Sequence, residues 1–326
     1  MEFLYKAKSV MIGHAVADAL GVPVEFASRE ELTQCPVTDM EGYGTYPVPA
    51  GAWSDDTSMS LCALDCLNCE EIDWDKIMWN FKDWLVNGKF TPTEKAFDAG
   101  QTCVDAILNY FQNKVKATES GLNGEMSNGN GSLMRIHPFA LYLYNREISL
   151  DEKISIIEQA SSLTHAHKRA KMACGIYAFV LWELLDNPCV ESVCVGLKKA
   201  REYYTLVEQS EQDKYRNLYF LGEQLFENYT VEKAQSIFSK EQIKSSGYVV
   251  DTIEAAFWCL LTTKSYKECV IKAVNLGEDT DTVAAVAGGL AGALYGYEAI
   301  PEKWRRTLIK REYIEELCEI AFKSNP

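Results

Sequence analysis

Apolar residues recur at three- and four-residue intervals along most of the chain, the period of helices with one buried face. Residues 3–20 predict an opening helix whose second half turns small (Gly13, Ala15, Ala17, Ala19) and which stops at Gly21 and Pro23. A second helix starts at Ser54-Asp55-Asp56-Thr57 and runs through Leu61, Ala63, Leu64 and Leu67. The spacing of Ile77, Phe81, Trp84 and Leu85 predicts another that ends at Asn87-Gly88, and a further helix covers 98–115. Ser149-Leu150-Asp151-Glu152 has capping-box form and opens a helix to about 163. A strongly apolar helix over 168–185 stops at Asn187-Pro188. More polar, peripheral helices follow at 191–209, 211–227 and 230–239, then apolar ones at 251–262, 266–275 and 282–295. The last is built almost wholly of Ala and Gly from Ala284 to Ala293, small enough for close helix contact. Loops are predicted at 33–53, rich in Gly, Pro and Tyr, and at 118–132, dense in Gly, Asn and Ser. With no strand series, no repeat and no linker-like break, the pattern predicts one all-α domain over 1–326.

Composition narrows the class. An apolar share of 47% in 326 residues is ample for a large core. The net charge of −15 disfavours general nucleic-acid binding, since phosphate backbones are repelled, and suits the gathering of divalent cations. No apolar run reaches the roughly 18 residues of a membrane span. The start Met1-Glu2-Phe3-Leu4-Tyr5-Lys6 lacks a signal-peptide layout, and the eleven cysteines, an odd number, argue against a full disulfide framework. A cytoplasmic protein with reduced thiols is expected.

Two acidic helix starts are the main candidate chemistry. Ser54-Asp55-Asp56-Thr57 and Gly277-Glu278-Asp279-Thr280-Asp281-Thr282 each offer paired carboxylates and hydroxyls, a hard oxygen donor set. Helix capping explains either alone. Facing one another, they would hold two divalent cations, without which clustered carboxylates repel. An EF-hand loop is excluded in the second, where Val283 takes the fifth ligand position and no Gly the sixth. Its Asp-x-Asp-x-Val pattern resembles a haloacid-dehalogenase nucleophile, but only 45 residues follow and no early apolar strand precedes it.

Ser127-Asn128-Gly129-Asn130-Gly131-Ser132 reads either as a surface turn or as an anion cradle, because Gly and Asn tolerate φ > 0 and let successive amides converge. In Thr164-His165-Ala166-His167 the two rings do not share a helix face, so one ring touching a ligand is preferred to zinc. Cys66-x-x-Cys69, close to Cys62, lacks a second pair and reads as helix-end burial. Trp74, Trp79, Phe81 and Trp84 read as core. Glu25 follows the Gly21-Val22-Pro23 turn, so a loop is expected to present it, approaching only when substrate is bound. Asp98 lies near a helix start and is expected to be fixed.

Taken in order, seven motifs carry a resemblance: Gly13-His14-Ala15-Val16-Ala17-Asp18-Ala19-Leu20-Gly21-Val22-Pro23-Val24-Glu25-Phe26, the Ser54–Thr57 run, Phe97-Asp98-Ala99-Gly100, Gly129-Asn130-Gly131-Ser132-Leu133-Met134-Arg135, Leu163-Thr164-His165, Ser246-Gly247-Tyr248-Val249-Val250-Asp251-Thr252 and the Gly277–Thr282 run. Spanning about 13–297, they resemble the ADP-ribosylglycohydrolase family, including the dinitrogenase-reductase-activating and ADP-ribosylarginine hydrolase branches. Ala17 stands where the family commonly has Gly and Ala99 where it has Ile, while 186–245 carries no alignable motif.

The resemblance implies a single compact orthogonal multi-helix domain with a central di-metal cleft and two Mg²⁺ or Mn²⁺ ions. It implies Ser54, Asp55, Asp56, Asp279, Asp281 and Thr282 as metal ligands, joined by Glu25. Substrate would be bound by Ser127, Asn128, Gly129, Asn130, Gly131 and Ser132 with His165 and Tyr248; Glu25, Asp98 and Asp56 would be catalytic. The implied reaction is hydrolysis of the N-glycosidic bond between ADP-ribose and an acceptor, arginine first, on a small molecule or an ADP-ribosylated protein. An O-linked substrate, a non-catalytic ADP-ribose binder and a metal-dependent phosphatase are the alternatives.

Overall fold

The opening helix Glu2–Gly21 has no polar face: every residue from Ser9 to Gly21 is buried. A helix closed to water all round belongs in the centre of a fold. Its partner is the small-residue helix Thr280–Tyr295, also buried from Thr280 to Gly292. The two approach until backbone meets backbone. A Cβ on Gly292 would lie 2.1 Å from Ser9 O, one on Gly13 2.6 Å from Gly288 O, and Tyr266 donates from its hydroxyl to Gly13 O at 2.6 Å. Gly292→Ala is therefore expected to reduce the unfolding free energy by about 1–3 kcal/mol, the usual cost of overpacking. A urea titration reads this as a lower midpoint; an unchanged midpoint would mean the helices part freely.

The computed structural model describes residues 2–69 and 71–322, so Met1, Glu70 and 323–326 of the expected domain lie outside it. The described residues form sixteen α-helices, all but the short Arg29–Gln34 contributing to one continuous apolar core, and among them only isolated bridges, Leu122 with His165 and Gly129 with Tyr248, show strand-like pairing. No described helix is long and apolar enough to cross a membrane. The eleven cysteines are free thiols.

Most element expectations hold, with differences that have local causes. Ser149 and Glu152 form the expected reciprocal cap of Leu150–Ser162. The second acidic helix begins two residues early, as Thr280–Tyr295. The helix after Ser54 ends at Leu64 rather than Leu67, and the segment expected at 211–227 opens as a 3₁₀ stretch, Gln209–Tyr215, before Arg216–Leu225. The helix expected from 98 begins only at Gln101, because Asp98 takes a left-handed conformation with φ 54°. Helix His137–Tyr144 was not expected: its His137–Leu143 face is buried all round, leaving no 3.6-residue alternation, though Pro138 in its first turn is a start signal. Phe81 and Trp84 are core as expected, but Trp79 is 52% exposed, stacked edge-on against Phe111. Cys62 and Cys66 are buried; Cys69 is not.

Candidate active site

The central helix pair also builds the site, because the end of one abuts the start of the other. A Cβ on Gly21 would lie 2.4 Å from Asp281 Cα, and Thr280 donates from Oγ1 to Gly21 O at 2.8 Å. Past Gly21, a 3₁₀ turn (Val22–Val24) delivers Glu25. A turn rather than a helix presents Glu25, as expected, and its backbone is bonded to neighbours. Phe26 N–H donates to Glu278 O (2.7 Å), Glu278 N–H to Ala27 O (2.8 Å), and Thr45 Oγ1 to Glu25 O (2.8 Å). The turn is pinned from both sides, with Phe26 and Glu278 both at positive φ.

The two acidic motifs, more than two hundred positions apart in sequence, meet directly. Thr282 donates from Oγ1 to Asp56 Oδ2 at 3.2 Å, and Ser54 donates to the same oxygen at 3.2 Å. Ser54 is the N-cap of Asp55–Leu64. Asp18 holds that helix start in place: it accepts from Ser54 N–H (2.9 Å), Thr57 N–H (3.0 Å) and Thr57 Oγ1 (2.6 Å). Asp18 was not singled out from the sequence, yet a carboxylate inside an otherwise apolar helix is itself a signal that a polar partner must be found. One oxygen each of Glu25, Asp98 and Asp281 lies within 4.8 Å of the others. Tyr46, from the loop and also missed, bears on Glu25 and Asp98.

Burial first, and neighbouring carboxylates second, push Asp55, Asp56 and Asp281 well above the usual carboxylate range and Glu25 up to about 9. Burial raises Asp98 and Asp279 as well. Within this crowd, Glu25 Oε2, Asp56 Oδ1 and Asp281 Oδ2 are buried without a hydrogen-bond partner. Buried oxygens left unpartnered among carboxylates fit hard divalent cations, which supply both the missing partner and the missing positive charge.

In front of the cluster lies a cavity of about 330 Å³, lined by Glu25, Asp55, Asp98, Asp279 and Thr282 together with Gly129, Asn130, Gly131 and His165. A larger hollow of about 850 Å³, beside Leu197, Arg201 and Tyr219, is lined by none of the carboxylates of this cluster. Asp56, expected among the catalytic groups, sits behind this wall, where it joins the two motifs.

The glycine loop departs from expectation. Neither Gly129 nor Gly131 has positive φ. Two of the six amides are already engaged, Ser127 N–H with Gly124 O and Asn130 N–H with Gly247 O. Ser132 faces the core, its hydroxyl hydrogen-bonded to that of Ser161 at 2.9 Å, and Asn128 donates its side-chain amide to Glu125 O. What requires glycine is proximity: a Cβ on Gly131 would lie 2.9 Å from both Cys103 Sγ and His165 Cε1. Asn130 ties the loop to the acidic motif through Asp279 Oδ2 and to Thr252 Oγ1, each at 2.8 Å. Tyr248 N-caps Val249–Leu261 and lies beneath Arg169, its ring centroid 5.8 Å from the guanidinium carbon. His165 is buried in the wall; His167 instead caps Lys168–Asp186.

The profile of the ADP-ribosylglycohydrolase family matches residues 2–325. Among individual proteins, an ADP-ribosylarginine hydrolase Tri1 of Serratia proteamaculans (strain 568) is 30% identical over 326 residues, covering 100% of this chain and 81% of its own. The ADP-ribosyl-[dinitrogen reductase] glycohydrolase of Rhodospirillum rubrum is 30% identical, covering 92% and 88%. A solved structure described as an ADP-ribosylglycohydrolase-related protein complex superposes with a TM-score of 0.76 at 29% identity, over 100% of this chain and 99% of that one.

Proposed function

The chain belongs to the ADP-ribosylglycohydrolase family, and from that premise we propose that it hydrolyses the N-glycosidic bond between C1″ of ADP-ribose and a guanidine nitrogen of arginine. The observation that carries the reading is one cavity lined by carboxylates and by a glycine loop with an imidazole. Such a site suits a ligand with a hydroxyl-rich sugar at one end and a diphosphate at the other. The arginine linkage draws support from the Tri1 relative.

Asp55, Asp56, Asp279, Asp281, Ser54, Thr282 and Glu25 would hold Mg²⁺ or Mn²⁺, which would supply positive charge near the ribose hydroxyls and a lowered pKa for water. Around them the chain's own groups divide the work. Glu25, its backbone held in place, takes the proton of the attacking water. The same carboxylates stabilise the cationic, oxocarbenium-like sugar as the bond breaks. Asp98, beside Glu25 in the cavity wall, pairs with the departing guanidinium. Gly129 and Gly131 let the diphosphate approach the main chain, and Tyr248, paired with Gly129 and beneath Arg169, is a further substrate contact. Asp56 holds the two acidic motifs together. The eleven free thiols fit a reducing cytoplasm, and the charge of −15 fits a small-molecule or protein substrate better than nucleic acid.

The test is a panel of arginine-linked ADP-ribose, serine-linked ADP-ribose and a generic phosphate ester with Mg²⁺ or Mn²⁺ present. Release of ADP-ribose from the arginine conjugate is expected, with the ester untouched; preference for the ester would overturn the reading. Gly131→Val is expected to weaken ADP-ribose binding about tenfold or more by calorimetry, since its side chain enters space held by Cys103 and His165. Unchanged affinity would remove the loop from the ligand site.

A further inference from the structure

Arg135 is wholly buried and, among the described residues, forms no ion pair with a carboxylate. Its guanidinium lies 4.8 Å over the Phe81 ring and donates to Ala160 O (3.2 and 3.3 Å) and, from Nη2, to Thr164 Oγ1 (2.8 Å). Thr164 Oγ1 in turn lies 2.9 Å from His165 Nδ1. The backbone beneath is locked: His165 N–H donates to Ser161 O, Ser161 Oγ to His165 O, and Ala166 N–H to Leu122 O, each at 2.8 Å. The opposite edge of the ring faces the glycine loop, with Nε2 3.5 Å from where a Cβ on either Gly129 or Gly131 would stand.

The donor order follows from chemistry. A guanidinium only donates, so Thr164 Oγ1 must accept from Arg135. That charged bond leaves the hydroxyl a better donor and a poorer second acceptor. An Nδ1–H would aim its positive end toward the buried cation, whereas a bare Nδ1 aims a lone pair there, the favourable dipole orientation. Cys103, the other neighbour of Thr164, is only a weak acceptor. Burial and the nearby Arg135 charge also bring His165 down to about 3, so its ring is neutral at ordinary pH.

We propose that Arg135 and Thr164 are positioning residues that lock His165 in its Nε2–H tautomer, so that the ring presents a neutral donor to a diphosphate oxygen beside Gly129 and Gly131. The diphosphate part rests on the function proposed above; the tautomer does not. A neutral donor fixed in place binds an anion without the loss of affinity that titration near neutrality would cause.

The test is ¹⁵N-imidazole NMR of the full chain, with His165 assigned through His165→Gln among the four histidines. Wild type is expected to show a protonated Nε2 and a bare Nδ1. Thr164→Val, nearly isosteric, should abolish that single tautomer and weaken ADP-ribose binding about tenfold or more, the scale of a hydrogen bond to a charged group. Thr164→Ser should restore both, and it keeps the test decisive if the valine variant folds poorly. An Nδ1–H tautomer in wild type, or a valine variant with unchanged tautomer and affinity, would overturn the relay. The expected tautomer together with no ADP-ribose affinity in wild type would overturn the diphosphate assignment alone.

Discussion

Glu25→Gln is expected to slow turnover of arginine-linked ADP-ribose by about 10²- to 10⁴-fold, the range for a lost general base. The change keeps the shape of the side chain and leaves the Phe26–Glu278 and Thr45 contacts of the turn intact. The fold should therefore survive while turnover falls on every linkage the wild type cleaves. Asp98→Asn offers the contrast. If Asp98 grips the departing guanidinium, its loss costs more on arginine-linked than on serine-linked substrate. Equal losses on both would assign it to the ribose. Single-turnover rates on the two conjugates separate these outcomes, and a fully active Glu25→Gln would remove Glu25 from the chemistry.

Asp281→Asn is expected to abolish the stabilisation given by Mg²⁺ or Mn²⁺ while leaving the cation-free fold as stable as wild type, or more so. Asp281 Oδ1 accepts from Thr282 N–H at 2.9 Å, a bond an asparagine oxygen retains, while Oδ2 is buried without a partner. The sign with pH follows from the raised carboxyls. Groups held above their ordinary value keep the cation-free fold stable below about pH 4 and withdraw that stability as pH climbs through the raised values, up to about 9 for Glu25. Divalent cations take the place of those protons. Their effect on Tm should therefore be larger at about pH 8 than at about pH 5, with protons released on binding. A Tm shift that is independent of pH, or that survives Asp281→Asn, would contradict this.

The paired helix starts were legible because Ser, Asp and Thr crowd into single turns, and an acidic turn at each of two buried helices asks for a shared partner. That Thr282 touches Asp56 was not, since only the Gly13–Gly292 packing brings those turns together. Asp18 and Tyr46 stayed hidden for a related reason. One is a lone acid in an apolar helix and the other lies in a loop without period, and their importance comes from the elements they face. The glycines of the ligand loop were noticed for a tolerance of positive φ that they do not use; Cys103 and His165 explain them by close approach. Arg135 and Thr164 stood inside recognised motifs, but their roles needed distances.

The most direct measurement is ADP-ribose release from ADP-ribosyl-arginine by the full chain, first treated with chelator and then given Mg²⁺ or Mn²⁺. The acidic cluster as built predicts negligible release without divalent cations and recovery when they return. Release undiminished by chelation, or absent with either cation, would contradict it.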